Sequence, residues 1–513
     1  MPLNSLPHPF LLNSLLDLLL AISYLCPLVL DTPTSGNFLS ISMVSSLLRA
    51  ERQCRLFVMR EWTKPQYDIV VGILSARQNY ELRNALRNTW LGNIKQHPEL
   101  RQRVLAKFII GAHGCDIPDE DREDPYSCQL LNITDPVVGQ EIEAISLFGR
   151  TAVTLLGNKI ASINFRVLHP IIITRLGVFH DQRETGFPRN VIVRLFQRAQ
   201  EGVIASARFS PLSPGVQVKQ LWYKPVEKFI LPKGFQGTIV WESQDSEYLT
   251  TANLSDVQLN TGGGLLRLSA DERLIQDGFE QDVAAVAGGF AYTVHDSDAL
   301  LESLKARPKR FENRKQKLME VDAALREESQ IYEDIIFVDV VDTYRNVPYK
   351  LLHFYKWSVN YVSFRLLLKT DDDCYIDMDA ILHRVGDRLV RTNVWWGNFR
   401  QNWAVDHSGK WMELQYPSPV YPDFACGSGY AVSQDLVQWL AENIKMLKMY
   451  QGEDVSMGIW MAAVGPQRYQ DIHWLCEQSC SLGMLSSPQH SPVELLKLWQ
   501  RNEECNNPCE CAT

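Results

Sequence analysis

The residues best equipped for chemistry lie in two short acidic strings. Lys369-Thr370-Asp371-Asp372-Asp373-Cys374-Tyr375 sets three carboxylates side by side, and Glu453-Asp454 heads the apolar run Val455–Val464. Adjacent carboxylates repel one another unless a cation or hydrogen-bond donors compensate them. A hard divalent ion suits such a cluster, and Mg²⁺ or Mn²⁺ leaves positions open for water and phosphate oxygens. A solvated acidic turn, or a helix start favoured by the dipole, has the same composition. The second acid pair favours the metal reading. At a helix N-terminus the dipole keeps a carboxylate ionised, and an ionised Asp454 facing a metal site can serve as a general base.

These acids need a frame, and the flanking periodicity supplies one. Tyr67–Ala76 is a continuous apolar run of the kind buried on both faces of a parallel sheet. Leu82, Leu86 and Trp90 then recur at a spacing of four, with Arg83 and Arg87 on the neighbouring stripe, and Arg103–Gly111 reads as a second strand. The order β-α-β marks an α/β domain. The alternation stops between Cys115 and Lys317, where strand-like pieces (Ile160–Val167, Ile171–Leu176, Val191–Phe196, Thr238–Trp241, Gly289–Val294) indicate a β-rich insert. Gly262-Gly263-Gly264 lies in it with no Lys-Ser/Thr following, so it reads as a hairpin or loop rather than a phosphate cradle. The α/β pattern returns with Leu318, Val321 and Leu325, a strand over Ile335–Val341, a helix opened by Pro348, and a buried strand Phe364–Leu368 that runs straight into the acid string. In open α/β sheets ligands bind beyond the carboxyl ends of strands, which is where those acids fall.

Composition narrows the setting. Among 513 residues, 51 Lys and Arg stand against 60 Asp and Glu, a net charge of −9, which argues against a nucleic-acid partner. With 45% hydrophobic and 22% charged residues, the chain can form packed cores. The apolar run Leu11–Leu30 precedes the first basic residue, Arg49, and is about as long as a bilayer crossing requires, although Asp17 and Pro27 interrupt it. We read 1–30 as a signal-anchor and 31–62 as a stem, with the remainder lumenal. Asn132-Ile133-Thr134 and Asn253-Leu254-Ser255 are N-glycosylation acceptors. Cys115 and Cys128 flank an acidic loop, and Cys476, Cys480, Cys505, Cys509 and Cys511 crowd the end of the chain without paired Cys-x2-Cys units, so disulfides are expected rather than zinc. The total of eleven is odd, and Cys374 and Cys426 are the expected free thiols.

Six motifs in order carry a family resemblance: Arg83-x3-Arg87-x-Thr89-Trp90; Phe108-Ile109-Ile110-Gly111; Tyr332-x-Asp334-Ile335 with Asp339, Asp342, Tyr344 and Asn346; Lys369-x-Asp371-Asp372-Asp373; Tyr421-Pro422 leading into Gly427-x-Gly429-Tyr430; and Glu453-Asp454-Val455. Together they resemble the β-1,3-glycosyltransferases of the galactosyltransferase family, glycosyltransferase family 31, over Tyr67–Gly111 and roughly Glu320–Gly465. The long insert, the Cys115–Cys128 loop and the Cys-rich tail are most similar to the branch that extends O-mannosyl glycans of α-dystroglycan.

The resemblance implies an α/β fold of GT-A type, interrupted by a β-rich insertion domain. Residues 63–114 and 318–475 would be the catalytic halves, 115–317 the insert and 476–513 the tail. It implies inverting transfer of N-acetylgalactosamine from UDP-N-acetylgalactosamine (UDP-GalNAc), in β-1,3 linkage, to a terminal N-acetylglucosamine of a glycoprotein, in a Golgi or endoplasmic reticulum membrane protein of type II. Asp373, with Asp371 or Asp372, would hold Mn²⁺ or Mg²⁺, and Asp454 would be the base. Ser75, Arg77, Arg83, Lys369, Asp371, Asp372, Gly427, Gly429 and Glu453 would meet the nucleotide sugar. The residues also admit plainer roles: a surface ion pair for Arg77, and a lock of helix on sheet for Arg83, Arg87 and Trp90. Trp395, Trp396, Trp403 and Trp411 are candidates for sugar stacking or core packing, and His473 and His490 for a further metal ligand. Galactose or N-acetylglucosamine transfer, a non-catalytic lumenal glycan binder, and a metal-dependent phosphohydrolase are the competing expectations. The last lacks a nucleophile or second metal cluster.

Overall fold

The computed structural model describes residues 64–511, apart from short stretches at 149–153, 156–158, 182–185, 198–201, 246–248, 270–284, 389–391 and 408. The expected anchor and stem lie outside the described residues. Among the described residues, no helix is long and apolar enough to cross a membrane. The described residues within 68–359 and 364–511 form one compact unit, and 64–67 with 360–363 belong to another, in which the Ser363 amide donates to Pro65 O at 2.9 Å.

Seven strands build a central sheet: β1 (Gln66–Leu74), β2 (Val104–His113), β3 (Ile335–Val341), β4 (Ser363–Asp371), β5 (Val394–Arg400), β6 (Phe424–Ser433) and β7 (Gln467–Gln470), in the order β3-β2-β1-β4-β6-β5-β7. β1, β2 and β3 are parallel, β6 runs antiparallel to both β4 and β5, and β7 is parallel to β5. The sheet is therefore mixed. Both faces are covered from Ile69 onward, which is why β1 is apolar and buried from Ile69 to Leu74. Ile69, Val71 and Ile73 pack with Ala85 and Leu86 of α1 (Tyr80–Arg87) and with Trp90. Gly72 meets the other layer, where a Cβ would come 2.3 Å from the ring of Phe354. The expected helix through Trp90 breaks after Arg87, because Thr89 Oγ1 turns back to Ala85 O at 3.0 Å and Leu86 O at 3.2 Å.

Between β2 and β3 the chain builds two large antiparallel sheets, with a three-stranded and a two-stranded sheet beside them. One orders Leu266–Ser269, Ile160–Val167, Gln236–Ser243, Val191–Gln197 and Val203–Phe209; the other centres on Ile171–Phe179 and Gly288–Val294. All five strands expected from the sequence are present. Phe165, Leu195 and Ile239 of the first sheet share a core with Leu176, Val178 and Phe290 of the second, and the Trp241 indole N–H donates to Gly177 O at 2.8 Å across it.

A helix of 36 residues, α2 (Ser297–Tyr332), leads out of this sandwich and runs through position 317 without a break. Its periodicity is weak because only Leu300, Leu325 and Glu328 are buried along it. Near its start Arg307 and Arg310 bind buried Asp121, with nearest separations of 2.9 and 2.6 Å. Near its end Glu328 receives both Arg83, at 2.8 Å through each carboxylate oxygen, and Arg87 at 2.7 Å. Arg87 also forks onto Asp334 and lies 3.9 Å above the Tyr332 ring. α3 (Val347–Tyr361) covers the sheet with Leu351, Leu352, Phe354 and Tyr355.

The Cys-rich tail belongs to the core. Leu495 and Leu498 of α5 (Pro492–Cys505) pack with Ala85 and Leu86, behind a capping box made by Ser491 and Glu494. Disulfides join Cys115–Cys128, Cys426–Cys476, Cys480–Cys509 and Cys505–Cys511, and Cys374 is buried and free. The expectation of a free Cys426 is corrected: β6 brings it against Cys476, fifty residues on. Asn132 is exposed, and Asn253 half-buried at a strand end.

Removing Glu328 leaves two buried guanidinium groups short of their shared acceptor, so Glu328→Ala is expected to lower unfolding free energy by about 3–5 kcal/mol. Denaturant unfolding of the purified protein measures it; a loss below about 1 kcal/mol would contradict the lock.

Candidate active site

The site forms where β4 ends and α4 (Glu453–Val464) begins. Lys369, fully buried on β4, is its centre. Its ammonium donates to Glu453 Oε1 at 2.5 Å, Gly427 O at 2.6 Å and Asp371 Oδ1 at 2.9 Å. Burial opposes the charge, but Asp371 and Glu453 outweigh it and hold the ammonium pKa well above its usual value. One cation thus gathers acids from both sequence strings.

The carboxylates differ in task. Asp371 is about one-third exposed, and its pKa is pushed up to about 8 by desolvation and by the neighbouring Glu453 and Asp373. Asp372 is buried, accepts from Asn79 Nδ2 at 3.0 Å, and rises to about 6, with burial outweighing the hydrogen bonds from Ser75 and Asn79. It braces the turn rather than facing outward. Asp373 is half-exposed, accepts weakly from the Cys374 thiol at 3.4 Å, and takes the His490 amide on its carbonyl at 2.9 Å. Ligand atoms of Asp371, Asp373 and Cys374 lie within 4.8 Å of one another. Burial raises the Cys374 thiol pKa well above normal, so it stays protonated and leaves the two carboxylates as the hard donors.

Asp454 is partly exposed at the first turn of α4, with its Oδ1 accepting from the Val455 amide at 2.8 Å. Desolvation and Glu453 push its pKa up to about 7 against the pull of Lys369. Gly452, at φ +90°, makes the turn, and a Cβ there would also sit 2.9 Å from Asp454 Oδ1. Gly427 leaves room beside the acid pair, since its Cβ would fall 3.2 Å from Glu453 Oε1 and 3.5 Å from Asp454 Oδ2. Gly429 serves another purpose from the one expected. Its missing side chain admits the Trp474 ring, 2.7 Å from where a Cβ would stand.

Three expected nucleotide contacts have partners within the protein. Arg83 is fully buried and spends its donors on Glu328, Ser75 Oγ at 2.9 Å and Ala76 O at 2.7 Å, so it is closed to a ligand. Ser75 is buried beneath it. Arg77 ties strand ends to α2, through Gly111 O at 2.7 Å, Ala112 O at 2.8 Å and Asp322. α2 supplies the acids for both arginines, Glu328 for Arg83 and Asp322 for Arg77.

Among the histidines, His490 meets Asp373 through its backbone amide, at 2.9 Å from the Asp373 carbonyl oxygen, and His473 pairs with Asp471 at 2.7 Å. Burial lowers the His490 pKa against the charges of Glu494 and Asp373, leaving a neutral ring whose Nε2 meets Ser487 Oγ at 2.8 Å. Trp395 and Trp396 are core residues, while Trp403 and Trp411 are exposed. Residues missed in the sequence include Lys350, buried between Ser75 O and Asp342, and Asn79 under Asp372. Tyr344 was noted only as part of a motif; its indole-bound phenol feels the charges of Glu453, Asp454 and Asp371.

Replacing Lys369 by Met leaves buried carboxylates with no internal cation. Asp371, already raised when folded, then rises further, so stability is retained at low pH and lost as pH increases. The stability difference between wild type and Lys369→Met is expected to grow from pH 5 to pH 8 in denaturant titrations; a pH-independent difference would refute it.

The galactosyltransferase family model matches residues 313–471. The chain is 60% identical to human UDP-GalNAc:beta-1,3-N-acetylgalactosaminyltransferase 2 over 459 residues, 89% of this chain and 92% of that one. It is 52% identical to the zebrafish (Danio rerio) protein of the same name over 484 residues, 92% of this chain and 99% of the relative. Mouse beta-1,3-galactosyltransferase 6 is 32% identical over 184 residues, 34% of this chain and 57% of that one. The chain belongs to the galactosyltransferase family of glycosyltransferases.

Proposed function

We propose that the chain is an inverting, metal-dependent β-1,3-N-acetylgalactosaminyltransferase of GT-A type. It transfers N-acetylgalactosamine from UDP-GalNAc to a terminal N-acetylglucosamine on a protein-linked glycan, the O-mannosyl glycan of α-dystroglycan being the acceptor the sequence resemblance suggests. The relatives' names support the donor and linkage. The observation that carries the chemistry is Lys369, whose ammonium joins the acids of β4 to the acid pair of α4. Four disulfides favour an oxidising lumen, consistent with a type II protein of the Golgi or endoplasmic reticulum.

The donor set fits a divalent ion: two carboxylates with converging oxygens and one protonated thiol behind them. Asp371 and Asp373 would hold it. Once bound, such a cation offsets negative charge on a diphosphate leaving group. Asp454 takes the proton from the acceptor 3-hydroxyl as that oxygen bonds to the anomeric carbon. The anomeric carbon–oxygen bond to UDP breaks, its electron pair leaving on the diphosphate. One displacement from the face opposite UDP inverts the configuration and needs one base, unlike the paired carboxylates of a retaining hydrolase. A carboxyl with a pKa of about 7 suits proton uptake near neutrality.

Mn²⁺-stimulated UDP release from UDP-GalNAc with a β-N-acetylglucosaminide acceptor tests the reaction, and glycan binding without UDP release would overturn it. Asp454→Asn is expected to lower kcat by about 10²–10⁴-fold. Asp373→Ala is expected to abolish the metal stimulation; full activity in either variant would refute its role. The base must be deprotonated, so kcat/KM should rise with pH through about 7, rather than about 4 as for a solvated aspartate.

A further inference from the structure

Beside the acid cluster one large aromatic ring is presented to solvent and held in place. Trp411 is 59% exposed, yet its indole N–H is already satisfied by Tyr344 Oη at 3.0 Å. What it offers outward is therefore an apolar face. The backbone on either side of it is clamped by Arg345, which donates through Nη1 to Met412 O at 2.9 Å and Lys410 O at 3.4 Å. Arg345 is itself pinned. Its Nε donates to Asp124 Oδ2 at 2.6 Å, its guanidinium lies 5.7 Å from the Tyr126 ring centroid, and its amide donates to Tyr126 O at 3.0 Å. Asp124 and Tyr126 both lie inside the loop closed by Cys115–Cys128. A second tie runs from the sandwich, where Gln236 Nε2 approaches Met412 Sδ at 3.2 Å.

An exposed tryptophan normally loses side-chain freedom only when packed, and here three contacts restrain its neighbours and one its indole N–H while leaving its face open. Sugar rings present C–H faces that lie against aromatic rings, and the loop that carries Trp411 is tied to the start of α4, where the Gln451 amide donates to Glu413 Oε2 at 2.9 Å. We infer that Trp411 is the stacking platform for the acceptor sugar, and that Arg345 and Asp124 are positioning residues which set it from the disulfide-closed loop. The inference rests on the proposed function and adds to it an acceptor-reading residue and a mechanical role for the start of the insert.

The test separates the two claims. Calorimetric binding of a β-N-acetylglucosaminide to the full lumenal chain, with UDP and Mn²⁺ present, reads the platform; UDP release reads the reaction. Trp411→Ala is expected to weaken glycoside binding, and to raise acceptor KM, by roughly tenfold, with donor KM unchanged. Trp411→Phe is expected to recover most of that loss. Asp124→Asn should raise acceptor KM severalfold with kcat nearly intact, a split that general destabilisation would not produce. Glycoside binding by Trp411→Ala within twofold of wild type, or no binding by the wild type, would overturn the inference, whichever donor the enzyme uses. Failure of UDP release with binding lost in Trp411→Ala would overturn the proposed reaction and leave the platform standing.

Discussion

A buried ammonium governs the site. Taking Lys369 out of water carries a large desolvation cost, which only close, full compensation offsets. Its three acceptors are Asp371 on its own strand, Gly427 O on the neighbouring strand and Glu453 at the start of α4. Those three groups can satisfy it only if β4, β6 and the α4 N-terminus meet. The fold is thus constrained at the point where two acidic strings, each unfavourable alone, must coexist. Burial, with residual repulsion added to it, raises the pKa values of Asp371 and Asp454. That combination leaves one group ready for a cation and the other for a proton.

A second ionic lock orients the elements that carry this site. Arg83 and Arg87 extend from α1 beneath the end of β1 and share Glu328 of α2. Replacing such buried pairs by apolar residues is often neutral for stability, so their value lies in direction. A guanidinium fork accepts few orientations. Because α2 also carries Leu300 in the sandwich core and two arginines on Asp121, it relates the inserted sheets to the central sheet. The tail acts similarly on the opposite side: Cys476 is bonded to β6, and the His490 amide caps the Asp373 carbonyl. A segment that looks peripheral along the chain thereby becomes a wall of the site.

Much of the fold was legible. The apolar runs Ile69–Leu74 of β1, Phe108–Ile110 of β2 and Leu366–Leu368 of β4 are continuous because they are buried in the middle of the sheet, and the sandwich strands stand out by alternation and turns. The 36-residue helix was read only in part, because a rod with three buried residues carries little periodic signal. Of the site, the acids of both strings were legible by type and position. Arg83, Ser75 and Arg77 were read as nucleotide contacts because they follow the first strand, where ligands usually bind. Nothing local reveals that Glu328, 245 residues from Arg83, is its partner.

By itself the sequence determined which segments become strands and helices, which carboxylates are concentrated at their ends, and that cysteines crowd two regions. Those properties depend on spacing within a few turns of chain, where side-chain periodicity and propensity act directly. Tertiary structure alone decided the pairings: Lys369 with Glu453 across 84 residues, Cys426 with Cys476 across 50, and Arg345 between Asp124 and the backbone around Trp411. Each depends on where packed layers bring distant groups within a few ångströms, and burial then makes the resulting charge and hydrogen-bond partners obligatory.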